Sequence, residues 1–352
     1  MFIPREYLSL TREERKKALR AITLINHKRL GKVKGRTVAI RSVQREYIPA
    51  DEASSPTATT KSVQLTLLIG AIEERIVAVC DISGAFLQAY MDDLVLVMFE
   101  DKMVDLLVET EPKYKECVYV KPNGKKVLYV QLRKAMYGCL KAARLWWEEL
   151  SEYLVEVMGF KLNQYNCCVA NKMIKNDQCT IIWHVDDLKI THKDCSVVEE
   201  VIKKIEEKFE KMSVNIGVKH TYVGMDLDFS MKGTVIISMK GYLEDAIKEF
   251  PGELPRSAKT PASLYLFEVN PEAEKLDEEK PSIFHRVVAM LLFVSKRARP
   301  DIQVAIAFLT TRTMKSDVDD WKKLARLIAY LKSTIDLKLY LLGEEGCPVI
   351  KW

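Results

Sequence analysis

No apolar stretch in the 352-residue chain is long enough for a membrane-spanning helix. The longest runs, Leu65–Ile72 (interrupted by Thr66 and Gly70) and Val287–Val294, fall far short of the roughly 18–20 residues a span takes. No membrane partner is expected. The N-terminus reaches Arg5 and Glu6 without an apolar segment, so nothing there marks secretion, and an intracellular protein is expected. Repeats and Gly/Ser linkers are also missing. Eight cysteines lie scattered with no CxxC pair and no histidine at ligand spacing, which argues against a zinc knuckle and a disulfide framework and for reduced, mostly buried thiols. With 48% hydrophobic and 29% charged residues, disorder is excluded, and the length suits two or three compact units.

Positive charge is concentrated at one end. Residues 1–48 hold 13 Lys and Arg against 4 Asp and Glu, whereas the remainder is slightly acidic. Such a segment is either an electrostatic footprint for nucleic acid or a solvated basic face.

Periodicity predicts a basic helix over 11–30, a strand over Thr37–Tyr47, a helix ending near Ile72, and a strand Arg75–Cys80 that delivers Asp81. A short helix over Gly84–Tyr90 and a strand Leu94–Phe99 follow, then a hairpin around Asn123-Gly124 and a helix bearing Trp146, Leu150 and Val157. Cys179–Val185 and Leu188–Thr191 read as two strands separated by Asp186-Asp187. Ser196 and Glu199 form a candidate capping box opening a helix. Strands Thr221–Phe229 and Thr234–Met239 lead to mainly helical sequence beyond residue 240, at about 242–250, 284–298, 301–315 and 318–332.

Asp81 at a strand end and Asp186-Asp187 at a hairpin tip suit divalent-metal chemistry, because hard Mg²⁺ prefers oxygen ligands. An Asp-Asp pair between strands is also frequently only a turn. The neighbourhoods decide between them. Asp81-Ile82-Ser83-Gly84-Ala85-Phe86-Leu87-Gln88, Met136-Tyr137-Gly138 with Ala143-Arg144-Leu145-Trp146, and His184-Val185-Asp186-Asp187 closely resemble the reverse transcriptase of copia-type LTR retrotransposons. Lys34 and Arg36 upstream, Tyr222-Val223-Gly224-Met225 and Arg299-Pro300-Asp301-Ile302 downstream extend the resemblance over about residues 30–340.

The resemblance implies an α+β right-hand polymerase with fingers, a palm with an antiparallel sheet and catalytic hairpin, and a mainly helical thumb. The expected division is a basic N-terminal extension (1–30), fingers (31–75 and 113–135), palm (76–112 and 136–240), thumb or connection (241–340), and a truncated start of a ribonuclease H-like region (341–352). It further implies RNA-directed DNA synthesis from a primer, with deoxynucleoside triphosphates, an RNA or DNA template, and Mg²⁺ or substituting Mn²⁺. Asp81, Asp186 and Asp187 are the implied catalytic metal ligands. Lys34, Arg36, Phe86 and Lys141 are implied to face the incoming nucleotide, Phe86 as a ring beneath its sugar that leaves no room for a 2′-hydroxyl. Tyr222, Gly224 and Met225 are implied to position the primer end, and Lys296, Arg297 and Arg299 either touch phosphates or form a solvated helix face.

Tyr90-Met91-Asp92-Asp93 copies the tetrapeptide of retroviral reverse transcriptases, yet only nine residues separate Met91 from Asp81 and a helical pattern precedes Tyr90. An acidic turn before a strand is expected there instead. Two positions depart from the family pattern. His184 replaces Tyr, which introduces an imidazole whose partial charge near neutral pH would make activity pH-sensitive. Lys141 stands where many relatives carry Gln, adding a cation near the base pair. The chain ends where ribonuclease H would begin, and nothing in it resembles integrase, protease or capsid. A polyprotein fragment working in the cytoplasm within virus-like particles, or in the nucleus, is expected, with an inactive nucleic-acid-binding relic as the alternative.

Overall fold

The computed structural model describes residues 2–27, 33–277 and 279–343. The first part of the chain forms β1 (Phe2–Arg5), α1 (Arg12–Lys17), β2 (Leu19–His27), β3 (Val33–Ala39), α2 (Ala50–Ala53), α3 (Thr60–Ile72), β4 (Ile76–Asp81), β5 (Leu96–Glu100), α4 (Lys102–Thr110), β6 (Tyr119–Val120) and β7 (Lys126–Leu132). Next come α5 (Ala142–Glu152), β8 (Lys161–Leu162), β9 (Val169–Ile174), β10 (Asp177–His184), β11 (Asp187–His192), α6 (Cys195–Phe209) and β12 (Ser213–Gly217). The last part holds β13 (Lys219–Tyr222), β14 (Met225–Asp228), β15 (Thr234–Ser238), α7 (Lys240–Lys248), α8 (Lys280–Ser295), α9 (Gln303–Arg312), α10 (Val318–Ser333) and β16 (Leu339–Leu342).

A first sheet runs β1-β7-β5-β2-β3, with β6 on β7. The basic helix expected over 11–30 shrinks to α1. Thr11 and Glu14 cap it reciprocally, and at Ala18 the backbone turns extended because the apolar and β-branched residues after it pair with β3 and β5. Residues 28–30 of that expected helix lie outside the described residues. Residues 2–27 are thus no separate extension: β1 completes one edge of the sheet and β2 joins its interior. The strand expected over Thr37–Tyr47 ends at Ala39, and a 3₁₀ turn, Val43–Glu46, replaces its second half.

The central sheet, β12-β4-β11-β10-β9-β8, is antiparallel throughout and places β4 between the hairpin strand β11 and β12. Sequence periodicity missed β8, β9 and β12. The helix α6 is capped by Asp194, whose carboxylate accepts the Ser196 amide at 2.8 Å, so the expected Ser196–Glu199 box does not form. Under the sheet, Trp146 of α5 meets Phe209 of α6 edge to face at 5.1 Å, and Trp183 of β10 is buried.

A third sheet, β13-β14-β15-β16, sets β15 and β16 against α3, and α7–α10 lie between these two strands in sequence. The single strand expected over Thr221–Phe229 is two strands. Val223 and Gly224, at φ +49° and +77°, turn the chain back between them. Residues 341 and 342, expected to open a following region, pair with β15 instead.

Candidate active site

Three apolar residues of β4, Val77, Ala78 and Cys80, are buried, and Asp81 is exposed at the strand's end. On the next strand the hairpin β10–β11 pairs His184 with Asp187, so the two-residue turn is Val185-Asp186 and not the Asp186-Asp187 expected from sequence. Asp187 therefore belongs to β11, directly opposite Asp81. The Ile82 amide donates to the Asp186 carbonyl at 3.1 Å, and the Trp146 indole N–H donates to the Val185 carbonyl at 2.7 Å, which ties the turn to both β4 and α5.

Three carboxylates thus meet without a cation: among the described residues none of them makes an ion pair. Burial first, then the charges of Asp186 and Asp81, push the Asp187 carboxyl up to about 6. Among the described residues no three His, Cys, Asp or Glu side chains enclose an ion by themselves. The three carboxylates are hard oxygen donors, the ligand chemistry that Mg²⁺ takes.

Asp81 and Asp186 line a cleft of about 510 Å³ whose other walls include Arg36, Tyr137, Gly84 and Met136. The Arg36 guanidinium lies 4.5 Å over the Tyr137 ring, and Tyr137 packs against Phe86 at 4.8 Å. Burial, followed by the charge of Asp186, raises the Tyr137 hydroxyl. Tyr137 reaches this place because its carbonyl accepts the Ala39 amide at 2.8 Å and because Gly138, at φ +93°, approaches so closely that a Cβ would collide with the Ala39 carbonyl. Sequence reasoning quoted Tyr137 without giving it a role; the Gly that follows it was the available signal.

The other expected site residues divide. Arg36 lines the cleft, whereas Phe86 is half-buried and packs against the cleft residue Tyr137. Lys34 lies on β3, with its side chain outside the described residues. Lys141 is not brought to the carboxylates: it bonds Asp92 and Asp93 and lies 3.5 Å from Glu52, lining a different cleft. Asp92 and Asp93 precede β5 in a bend, bound to that lysine. Tyr222 and Met225 are buried, the Tyr222 hydroxyl donating to the Ile182 carbonyl at 3.2 Å, so only the turn between them is left to face a ligand. Gly224 in that turn abuts Phe293 of α8.

Arg299 is 2% exposed and paired with Asp301 at 2.7 Å, which removes it from any phosphate surface, whereas Lys296 is exposed and Arg297 lies over Phe293 at 3.6 Å. Burial and the Arg297 charge lower the His184 imidazole below its ordinary range, and its Nδ1 has no partner. That direction works against the partial charge expected from sequence near neutral pH.

Residues 14–262 match the family model described as Reverse transcriptase (RNA-dependent DNA polymerase). The chain is similar to the Retrovirus-related Pol polyprotein from transposon TNT 1-94 of Nicotiana tabacum, with 21% identity over 92% of this chain and 23% of that protein. It is also similar to the Transposon Ty1-BR Gag-Pol polyprotein of Saccharomyces cerevisiae, with 22% identity over 92% of this chain and 18% of that protein. The chain thus spans less than a quarter of the length of these curated relatives. Among solved structures, a foamy viral protease-reverse transcriptase in complex with RNA/DNA hybrid aligns over 91% of this chain and 34% of its own, at 11% identity and a TM-score of 0.45. The chain belongs to the reverse transcriptase (RNA-dependent DNA polymerase) family, in its copia-type branch, and its α+β architecture is the right-hand polymerase fold of that family.

Proposed function

We propose that the chain is the RNA-directed DNA polymerase domain of a copia-type element and extends a primer 3′-hydroxyl with deoxynucleoside triphosphates on an RNA or DNA template. The observation that carries this reading is the uncompensated carboxylate group, Asp81 opposite Asp187 with Asp186 in the turn, opening on a cleft walled by Arg36 and Tyr137. Asp81, Asp186 and Asp187 would hold Mg²⁺, or Mn²⁺ in its place, which when bound lowers the barrier by neutralising charge on the reacting phosphate. Arg36 supplies a fixed cation for a triphosphate, and its stacking on Tyr137 sets the direction of its fork. Tyr137, backed by the Phe86 ring, offers an apolar floor on which a sugar can rest.

In this reading the first sheet corresponds to the fingers, the central sheet to the palm, and α7–α10 to the thumb. Because β5 pairs with β7, it groups with the fingers and not with the palm residues 76–112. The test is primer extension by purified protein on RNA and DNA templates with Mg²⁺ or Mn²⁺. Template-dependent extension that Asp186→Asn abolishes supports the proposal. A folded parent that binds primer–template but never extends it identifies an inactive relic.

A further inference from the structure

The turn that carries Asp186 is strained. Val185 stands at φ +62°, and a β-branched residue in the left-handed region is a backbone outlier that persists only where its surroundings over-determine it. Two hydrogen bonds from outside the hairpin do so here. The Trp146 indole Nε1–H donates to the Val185 carbonyl at 2.7 Å, and the Ile82 amide donates to the Asp186 carbonyl at 3.1 Å. Trp146 is 1% exposed and its ring lies edge-on to Phe209, so its N–H comes from a rigid, dry support on α5. The second bond comes from the residue beside Asp81. Together they fix both carbonyls of the two-residue turn.

We propose that Trp146 is a positioning residue for the catalytic turn: its indole N–H holds Val185 in the left-handed conformation and so sets where Asp186 and Asp187 stand relative to Asp81. The catalytic part of this inference rests on the polymerase reading above; the structural part does not. A tryptophan needed only to fill space would use its ring, and a phenylalanine would serve nearly as well. The hydrogen bond adds a specific direction, because its acceptor is the carbonyl of the strained residue itself.

Trp146→Phe keeps a packed ring and removes the donor. Amide hydrogen exchange, read without substrate or turnover, is expected to quicken about tenfold or more at Ile82 and residues 183–188 while β9 stays protected. In primer extension the same variant should lose about tenfold in kcat, with the nucleotide KM and primer–template affinity within about twofold. Val185→Asn supplies the rescue, because Asn enters the left-handed region more readily than Val. In that background Trp146→Phe should cost no more than about threefold.

Unchanged exchange around the turn, or an equal kcat loss in both backgrounds, overturns the proposal. An inactive parent counts against the polymerase reading alone, since exchange still decides whether the indole braces the turn. If Trp146→Phe does not fold, Val185→Asn by itself decides. A higher melting temperature shows the strain that the brace opposes, and an unchanged or lower one contradicts it.

Discussion

Asp187 stands directly across from Asp81 on the neighbouring antiparallel strand, and among the described residues neither carboxylate has a cationic partner. Like charges in that arrangement work against folding, and a bound cation reverses the balance. On the proposed reading, this is the place where Mg²⁺ would be recruited.

The pH dependence of stability follows from Asp187. Its folded value, about 6, lies above the ordinary 3.8, so the group favours folding fully below about pH 4 and loses that contribution as pH rises through 6. Asp187→Asn, which stays neutral, should therefore melt higher than the parent at pH 7 without divalent ions. The gain should be on the order of 1–3 °C once screening at this partly exposed site is allowed for. The gap should close at pH 4. A variant that melts lower at pH 7 than the parent would show that the carboxylates are not in conflict.

Lys141 tests the difference between the sequence expectation and the structure. Its ammonium, raised by the hydrogen bonds of Asp93 and Asp92, joins the bend before β5 to the start of α5. Lys141→Gln should leave three carboxylates unneutralised and cost about 1 kcal/mol, because these partners are half-exposed. The nucleotide KM should remain within about twofold. A severalfold change in KM with no loss of stability would return Lys141 to the nucleotide site.

Phe86 packs behind Tyr137, so its role divides between floor and filler. If it lies under the nucleotide sugar, Phe86→Val should raise ribonucleotide incorporation relative to deoxyribonucleotide. As filler alone, the change would cost about 1–4 kcal/mol and leave that ratio untouched. The steric reading predicts the shift in ratio, measured beside a denaturation midpoint, and a destabilised variant with unaltered selectivity would sink it.

What was legible in the sequence was local. The apolar runs on either side of Asp186-Asp187 announced the hairpin, and the run before Asp81 announced its strand, because both signals sit within a few residues of the chemistry. Register was finer than the pattern could resolve, and the turn moved by one residue, to Val185-Asp186. Pairings distant in sequence left no trace. The fully exposed strand β12 joins β4 more than a hundred residues earlier, and Lys141 finds its acids at Asp92 and Asp93. Thr221–Phe229 misled because its apolar alternation continues across a turn that only the backbone of Val223 and Gly224 reveals.

The assignment of the site is tested most directly by comparing two sets of carboxylate variants in primer extension with Mg²⁺. Asp81→Asn removes an acid that faces Asp187 across the strands, whereas Asp92→Asn with Asp93→Asn removes acids bonded to Lys141 ahead of β5. The first should abolish extension while the protein still melts cooperatively and binds primer–template, and the second should keep most of the rate at some cost in stability. Near-normal extension by Asp81→Asn together with a folded but inactive Asp92/Asp93 double variant would contradict the assignment.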